Sequence, residues 1–189
     1  MANFIQAFNI TLGNEGGYAN NPNDHGGETY AGVARNFWPK WAGWPIVDQV
    51  VAQHPANLDA QLRSNSNLQA AVESFYQENF WDVVGLGALQ SQQLADQLFD
   101  TAVNMGTGMA ARFLQQAINE LKPNTVTVDG QVGPHTIEAA NAANGEALYN
   151  QVIALRRERY LAIIQTNPSQ AQFEHSWMSR LTPFNPQLA

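Results

Sequence analysis

Glu15, Asp24 and Thr29 are the residues whose types and spacing point to chemistry. Glu15 stands directly before Gly16-Gly17, Asp24 follows nine residues later, and Thr29 comes five after that. The two glycines let the chain turn sharply and leave room beside the carboxyl group for a ligand. Two carboxyl groups facing each other across a cleft are what cleavage of a glycosidic bond requires. One gives its proton to the leaving oxygen, and the other stays ionised to activate water or to stabilise positive charge on the sugar. Burial separates the two tasks. A Glu at a helix end beside aromatic groups loses hydration and holds its proton, whereas an Asp on a polar, glycine-rich loop keeps water and backbone donors and stays charged. Tyr18 and Tyr30 supply candidate apolar walls, and their faces suit the C–H surfaces of sugar rings. Spacing alone leaves plainer roles open: Glu15 as a solvated or capping residue, Asp24 as a turn residue and Thr29 as an ordinary strand residue.

The elements that must position these residues are mostly helical. Phe4, Ile5, Phe8 and Leu12 form one stripe of a short helix that ends just before Glu15. Leu68, Val72, Phe75 and Tyr76 repeat the pattern, as do Ala110, Phe113, Leu114, Ala117, Ile118 and Leu121 over three turns. Leu148, Val152 and Leu155 begin another helix; Phe173, Trp177 and Leu181 predict a last one. Pro134 after Gly133 reads as a first helical residue, where the missing N–H costs nothing. Residues 16–32 break the pattern. They hold five glycines, one proline and three asparagines, and read as turns with a small β-hairpin. A second irregular stretch, residues 37–45, contains Pro39 and Pro45, which are expected to break any helix, and is crowded by Trp38, Trp41 and Trp44. Those tryptophans suit either the floor of a sugar groove or a hydrophobic cluster beneath a proline-rich loop. A third loop, residues 123–133, carries the turn pair Asp129-Gly130.

Composition narrows the function. The chain has 189 residues, 44% hydrophobic and only 13% charged, with a formal net charge of −7. One domain is the default at that length. The acidic balance argues against nucleic acid as a partner and against docking on anionic membranes. No apolar run approaches the length of a membrane span, and residues 1–13 lack the basic start and unbroken apolar run of a signal peptide. A chain of this kind that acts outside its cell of synthesis is expected to leave by a holin or a specialised secretion route. There is no cysteine, which removes thiolate nucleophiles and Cys-based zinc patterns. His25, His54, His135 and His175 lack ligand spacing, so neither a metal nor another cofactor is expected. The 19 Asn and 18 Gln are spread evenly and read as uncharged polar residues on solvated faces. Arg156, Arg157 and Arg159 around Glu158 likewise read as a solvated or lobe-pairing helix face.

The run EGGYANNPNDHGGETYAG, from Glu15 to Gly32, resembles the signature of glycoside hydrolase family 108, the bacterial and phage-encoded muramidases. The matching positions are Glu15, Gly16, Gly17, Tyr18, Pro22, Asp24, Gly26, Gly27, Thr29 and Gly32. Residues 92–181 resemble the peptidoglycan-binding region that usually follows it, through Asp100-Thr101-Ala102-Val103-Asn104-Met105-Gly106, Leu114-Gln115, Asp129-Gly130, Gly133-Pro134, Tyr160, Phe173, Trp177 and Arg180. The resemblance implies a mainly α, lysozyme-like fold with a small turn or hairpin excursion near the N-terminus. It implies one lysozyme-like domain over residues 1–189, with a catalytic-motif region at 1–88 and a helical lobe at 92–181. It makes Glu15 the general acid of an N-acetylmuramidase that cuts the β-1,4 bond between N-acetylmuramic acid and N-acetylglucosamine. The Glu, Asp, Thr order is also similar to that of phage-type lysozymes, and by that analogy Asp24 and Thr29 hold the attacking water and the anomeric centre inverts. Asn104 is the further candidate for substrate binding, because an amide can hydrogen-bond an N-acetyl group; a helix-end cap is its plainer role. The implied partner is the peptidoglycan glycan strand, met by a monomer. Two alternatives accompany this reading: a lytic transglycosylase using the same Glu, and a non-catalytic peptidoglycan-binding or secretion-related protein. The chain departs from the family pattern at Val33-Ala34, where Ile with Thr or Ser is usual, and at Ser176, where Gly usually precedes the late Trp.

Overall fold

A computed structural model describes residues 1–12, 16–21 and 26–188. The described residues form nine α-helices and three short strands, the mainly helical architecture with a small sheet near the N-terminus that was expected. The chain separates into two compact units, Phe8–Asn79 and a second made of Met1–Ala7 with Phe80–Ala189. The divisions fall inside the first helix, α1 (Phe4–Leu12), and inside a π-helical turn, Gln77–Trp81.

The unit Phe8–Asn79 holds the sheet. β1 (Tyr18–Asn20), β2 (Glu28–Tyr30) and β3 (Val33–Ala34) are antiparallel in that order, so the expected hairpin carries a third strand. β2 and β3 are joined by Ala31-Gly32, both at positive φ (47° and 78°), the two-residue turn that matches the twist of paired strands. Tyr76 closes this turn by donating its hydroxyl to the Ala31 carbonyl at 2.9 Å. Three helices follow: α2 (Trp44–Val51), α3 (Leu58–Ser64) and α4 (Ser66–Tyr76). Pro45 was expected to break a helix, yet it sits in the first turn of α2, where its missing N–H would have had no intrahelical acceptor. Asn65 caps α4 by accepting the Leu68 N–H at 3.1 Å. The predicted stripe on α4 is buried as drawn: Leu68, Val72, Phe75 and Tyr76.

The other unit is a helical body. Its main elements are α5 (Gln92–Met105), α6 (Thr107–Leu121), α7 (Pro134–Ala142) and α8 (Gly145–Thr166). Ser91 and Asn144 cap α5 and α8. Gly106, at φ +92°, turns the chain between α5 and α6. Phe4, Trp81 and Phe99 pack edge to face in its core. The last predicted helix is shorter than its stripe: α9 covers Glu174–Ser179, so Phe173 and Leu181 lie outside it.

Two expectations about polar side chains are corrected. Arg156 is fully buried rather than on a solvated face, whereas Arg157 and Arg159 are exposed as expected. Many amides also work inside the fold: besides the caps, Gln97 and Gln115 are buried, and Asn119 braces residues 125 and 126 through Oδ1 and Nδ2. Each offers a donor and an acceptor with no charge to desolvate, which suits them to satisfying loop backbone in the interior.

Candidate active site

Strand register decides which motif side chains share a face. Tyr18 pairs with Tyr30, and Tyr30 with Val33; this face is the inner one, with Tyr30 and Val33 buried. Ala19, Thr29 and Ala34 stand side by side on the opposite, less buried face. Both neighbours of Thr29 on this face are small alanines. The Thr29 hydroxyl makes one long hydrogen bond, 3.3 Å to the Gly27 carbonyl.

The inner face is held by a chain of polar contacts that sequence reasoning missed. The Tyr18 hydroxyl donates to Glu28 Oε1 at 2.7 Å, a diagonal pair across β1 and β2. Glu28 Oε2 pairs with Arg35 Nε at 2.6 Å, and Arg35 reaches Asp48 on α2 at 2.5 Å. The guanidinium lies 4.2 Å over the Trp44 ring. These groups are partly exposed, so each ion pair contributes on the order of 0–1 kcal/mol; the arrangement fixes geometry more than it adds stability. Burial, followed by the Glu28 contact, raises the Tyr18 phenol above its ordinary value. The Tyr30 phenol is raised by burial and accepts a hydrogen bond from Gln69 Nε2 at 2.9 Å. The period-two alternation of β1 and β2 carried a signal for the Tyr18–Glu28 contact; nothing local marked Arg35 or Asp48.

The glycines of the motif are required by close packing. Gly16 has φ +86°, and a Cβ there would lie 2.6 Å from the Ala31 Cα and 3.2 Å from the Gly32 nitrogen. A Cβ on Gly17 would meet the Asp59 carboxylate, which accepts the Tyr18 backbone N–H at 2.7 Å. Gly16 therefore packs on the β2–β3 turn, and α3 holds the start of β1. A cavity of about 270 Å3 adjoins this contact, bounded by Leu12, Gly16, Tyr30, Arg63, Gln69 and Glu73 among others.

Glu15 and Asp24 lie outside the described residues. Tyr18, Thr29 and Tyr30 belong to one sheet, with Thr29 on the opposite face from the tyrosines. Asn104 belongs to the other unit, near the end of α5. Its Oδ1 accepts the Tyr160 hydroxyl at 2.8 Å, which ties α5 to α8. Its Nδ2 has no hydrogen-bond partner among the described residues, and the residue is exposed. Behind it, Arg156 donates to Gln97 at 3.1 Å and to Tyr160 at 2.9 Å and is paired with Asp100, which also takes Arg180 at 2.6 Å. Tyr160 stacks on Trp177 with centroids 5.0 Å apart. The Asp129 loop is structural: its carboxylate accepts from Gln115 Nε2 and the Gln131 N–H, and Gln115 Oε1 takes the Gly130 N–H. Among the described residues, no group of His, Asp or Glu is arranged to hold a metal ion.

The fold is shared with Brucella abortus SagA, at a TM-score of 0.60 and 22% identity over 94% of this chain and 88% of that one. No curated protein gives a significant sequence match. Residues 8–106 match the family model for glycosyl hydrolase 108, and residues 109–182 match the predicted peptidoglycan domain, in the order the motifs implied. Fold and motif together define a lysozyme-like glycoside hydrolase. The chain belongs to the glycosyl hydrolase 108 family. With the peptidoglycan region behind the catalytic one, it is a peptidoglycan hydrolase, acting on the wall outside the cytoplasm. The boundary between the two matches falls at the α5–α6 turn, inside one compact unit. No described helix is long and apolar enough to cross a membrane.

Proposed function

We propose that the protein is an N-acetylmuramidase that hydrolyses the β-1,4 bond between N-acetylmuramic acid and N-acetylglucosamine, acting as a monomer with residues 1–189 as one lysozyme-like domain. Glu15 protonates the bridging oxygen as general acid, a role worth roughly 10²–10⁴ in rate. Asp24 and Thr29 hold and activate water on the opposite side of the sugar ring, so the anomeric centre inverts. Tyr18 and Tyr30 shape the wall of the site within the unit Phe8–Asn79, and on the helical unit the Asn104 amide is a separate donor for an N-acetyl carbonyl.

The observation that carries this reading is the packing of Gly16 on Ala31 and Gly32. It brings the residue next in sequence to Glu15 against the turn that ends the Thr29 strand, which the proposed acid and water site both need. The small side chains of Ala19 and Ala34, the register partners of Thr29 on that face, further support water placement there.

Product analysis on purified peptidoglycan tests the chemistry. The reading expects reducing N-acetylmuramic ends, released first as the α-anomer from the β-linkage. A β-anomer would instead indicate retention, and 1,6-anhydro ends would show transglycosylation. Glucosaminidase products, with reducing N-acetylglucosamine, would contradict the bond assignment.

A further inference from the structure

We infer that the tryptophan-lined groove beside the sheet is a saccharide subsite, in which Trp38 is the platform for a hexosamine ring of the same glycan strand. The groove lies within the unit Phe8–Asn79, between residues 37–42 and the face of α4 that carries Ala70, Ala71 and Ser74. Its volume is about 630 Å3, inside the ~300–1,000 Å3 range of small-ligand sites and roomy enough for a disaccharide. The inference rests on the peptidoglycan-cleaving reading and adds where the strand is gripped.

The three tryptophans here are not equivalent. Trp41 and Trp44 are buried, and their indole N–H groups donate to the carbonyls of Ala71 and Trp38. These two build the hydrophobic cluster. Trp38 is 40% exposed, and its indole N–H has no hydrogen-bond partner among the described residues. It is also fixed. Its backbone N–H donates to the Ala34 carbonyl at 2.9 Å, its carbonyl accepts Trp44 Nε1 at 2.8 Å, and its ring meets Phe75 edge to face at 4.8 Å. A held aromatic face loses little conformational freedom on binding.

The chemistry selects a neutral sugar. Trp38 and the 67%-exposed Phe37 offer apolar area to C–H faces, while Ser74 and Asn79 offer hydrogen bonds to hydroxyl and acetamido edges. Lys40 and Glu78 are the charged lining residues, one of each sign, which fits an uncharged hexosamine better than an anionic wall polymer. Position supports one continuous strand. Ala34 is the register partner of Thr29, and its carbonyl takes the N–H groups of both Phe37 and Trp38. The aromatic wall thus begins at the end of the strand that pairs with the Thr29 strand.

The test uses the full chain carrying Glu15→Gln, titrated with glycan strands stripped of their stem peptides and followed by tryptophan fluorescence and calorimetry. Adding Trp38→Ala is expected to weaken glycan binding about tenfold, with Phe37→Ser weakening it less. In the otherwise unaltered chain, Trp38→Ala lowers the kcat/KM advantage of long over short glycans by the same factor. Trp38→Phe, which keeps a ring against Phe75, is expected to restore part of both effects. Equal glycan affinity with and without Trp38, or displacement of the glycan by free stem peptide, would overturn the subsite. Cleavage of the glycan by the Glu15→Gln protein would instead count against the acid assignment and leave the subsite standing.

Discussion

In the unit Phe8–Asn79, motif residues are positioned by backbone packing: Gly16 against Ala31, and the Ala31-Gly32 turn beneath Tyr76. Its polar contacts, Tyr18 to Glu28 to Arg35 to Asp48, run along partly exposed edges. In the helical unit the arrangement is reversed. Arg156, Asp100, Gln97 and Tyr160 form a buried polar core, and the exposed Asn104 hangs from its end. The difference teaches where each region is fragile. The first depends on having no side chain at certain positions, and the second on having every polar partner present.

The largest stability effect is expected in the helical unit. Asp100→Ala strands the guanidinium of Arg156 in the interior without its anion, and should cost about 3–5 kcal/mol in urea unfolding. A loss below about 1 kcal/mol would break the contrast, because it would make the buried network as dispensable as a surface pair. Next comes Gly16→Ala. The positive φ and the Ala31 Cα in its path predict a loss of about 1–3 kcal/mol, with wall lysis falling further than the folded fraction does. An alanine tolerated there at full activity would show that this packing does not set the site. Ala31→Gly should act in the other direction. Relief of a non-glycine residue at φ 47° outweighs the added chain entropy by about 0.5 kcal/mol, read as a small rise in Tm.

The smallest effect lies at Asp129. Its carboxyl is held below the usual carboxylate range by the hydrogen bond from Gln115 and then by the Gln131 N–H. A carboxyl lowered in the folded state adds stability above its unfolded pKa, and that stability is lost as pH falls through the folded value. Asp129→Asn should therefore lower Tm slightly at neutrality and flatten the profile below about pH 4, where the two proteins converge. An unchanged acid slope would mean that the loop's amide contacts alone hold it.

Much of this fold was legible in the sequence because periodicity reports burial directly. The stripes over residues 68–76 and 110–118 became the buried faces of α4 and α6, while Leu121, the last residue of the second stripe, is exposed. The family motif was legible for a related reason: its glycines stand where a side chain would collide, Gly16 with the Ala31 backbone and Gly17 with the Asp59 carboxylate. Pro45 misled because the same residue breaks a helix interior and starts a helix, and only the neighbouring chain decides which. Arg156 misled because burial of a cation depends on Asp100, 56 residues away. For the site, Tyr18, Thr29 and Tyr30 were placed on one sheet by local pattern. Asp59, which receives the Tyr18 N–H from α3, carries no mark in the motif at all. Trp38 differs from Trp41 and Trp44 only through tertiary burial, which three aromatic residues at intervals of three cannot display.

The most direct measurement compares the unaltered protein with Glu15→Gln on purified cell walls, following turbidity and reducing ends at matched folded concentration. The substitution is expected to lower the rate by roughly 10²–10⁴ while thermal unfolding and glycan binding are retained. Lysis within a fewfold of the unaltered rate would contradict the Glu15 assignment, because the proton given to the bridging oxygen would then come from another residue.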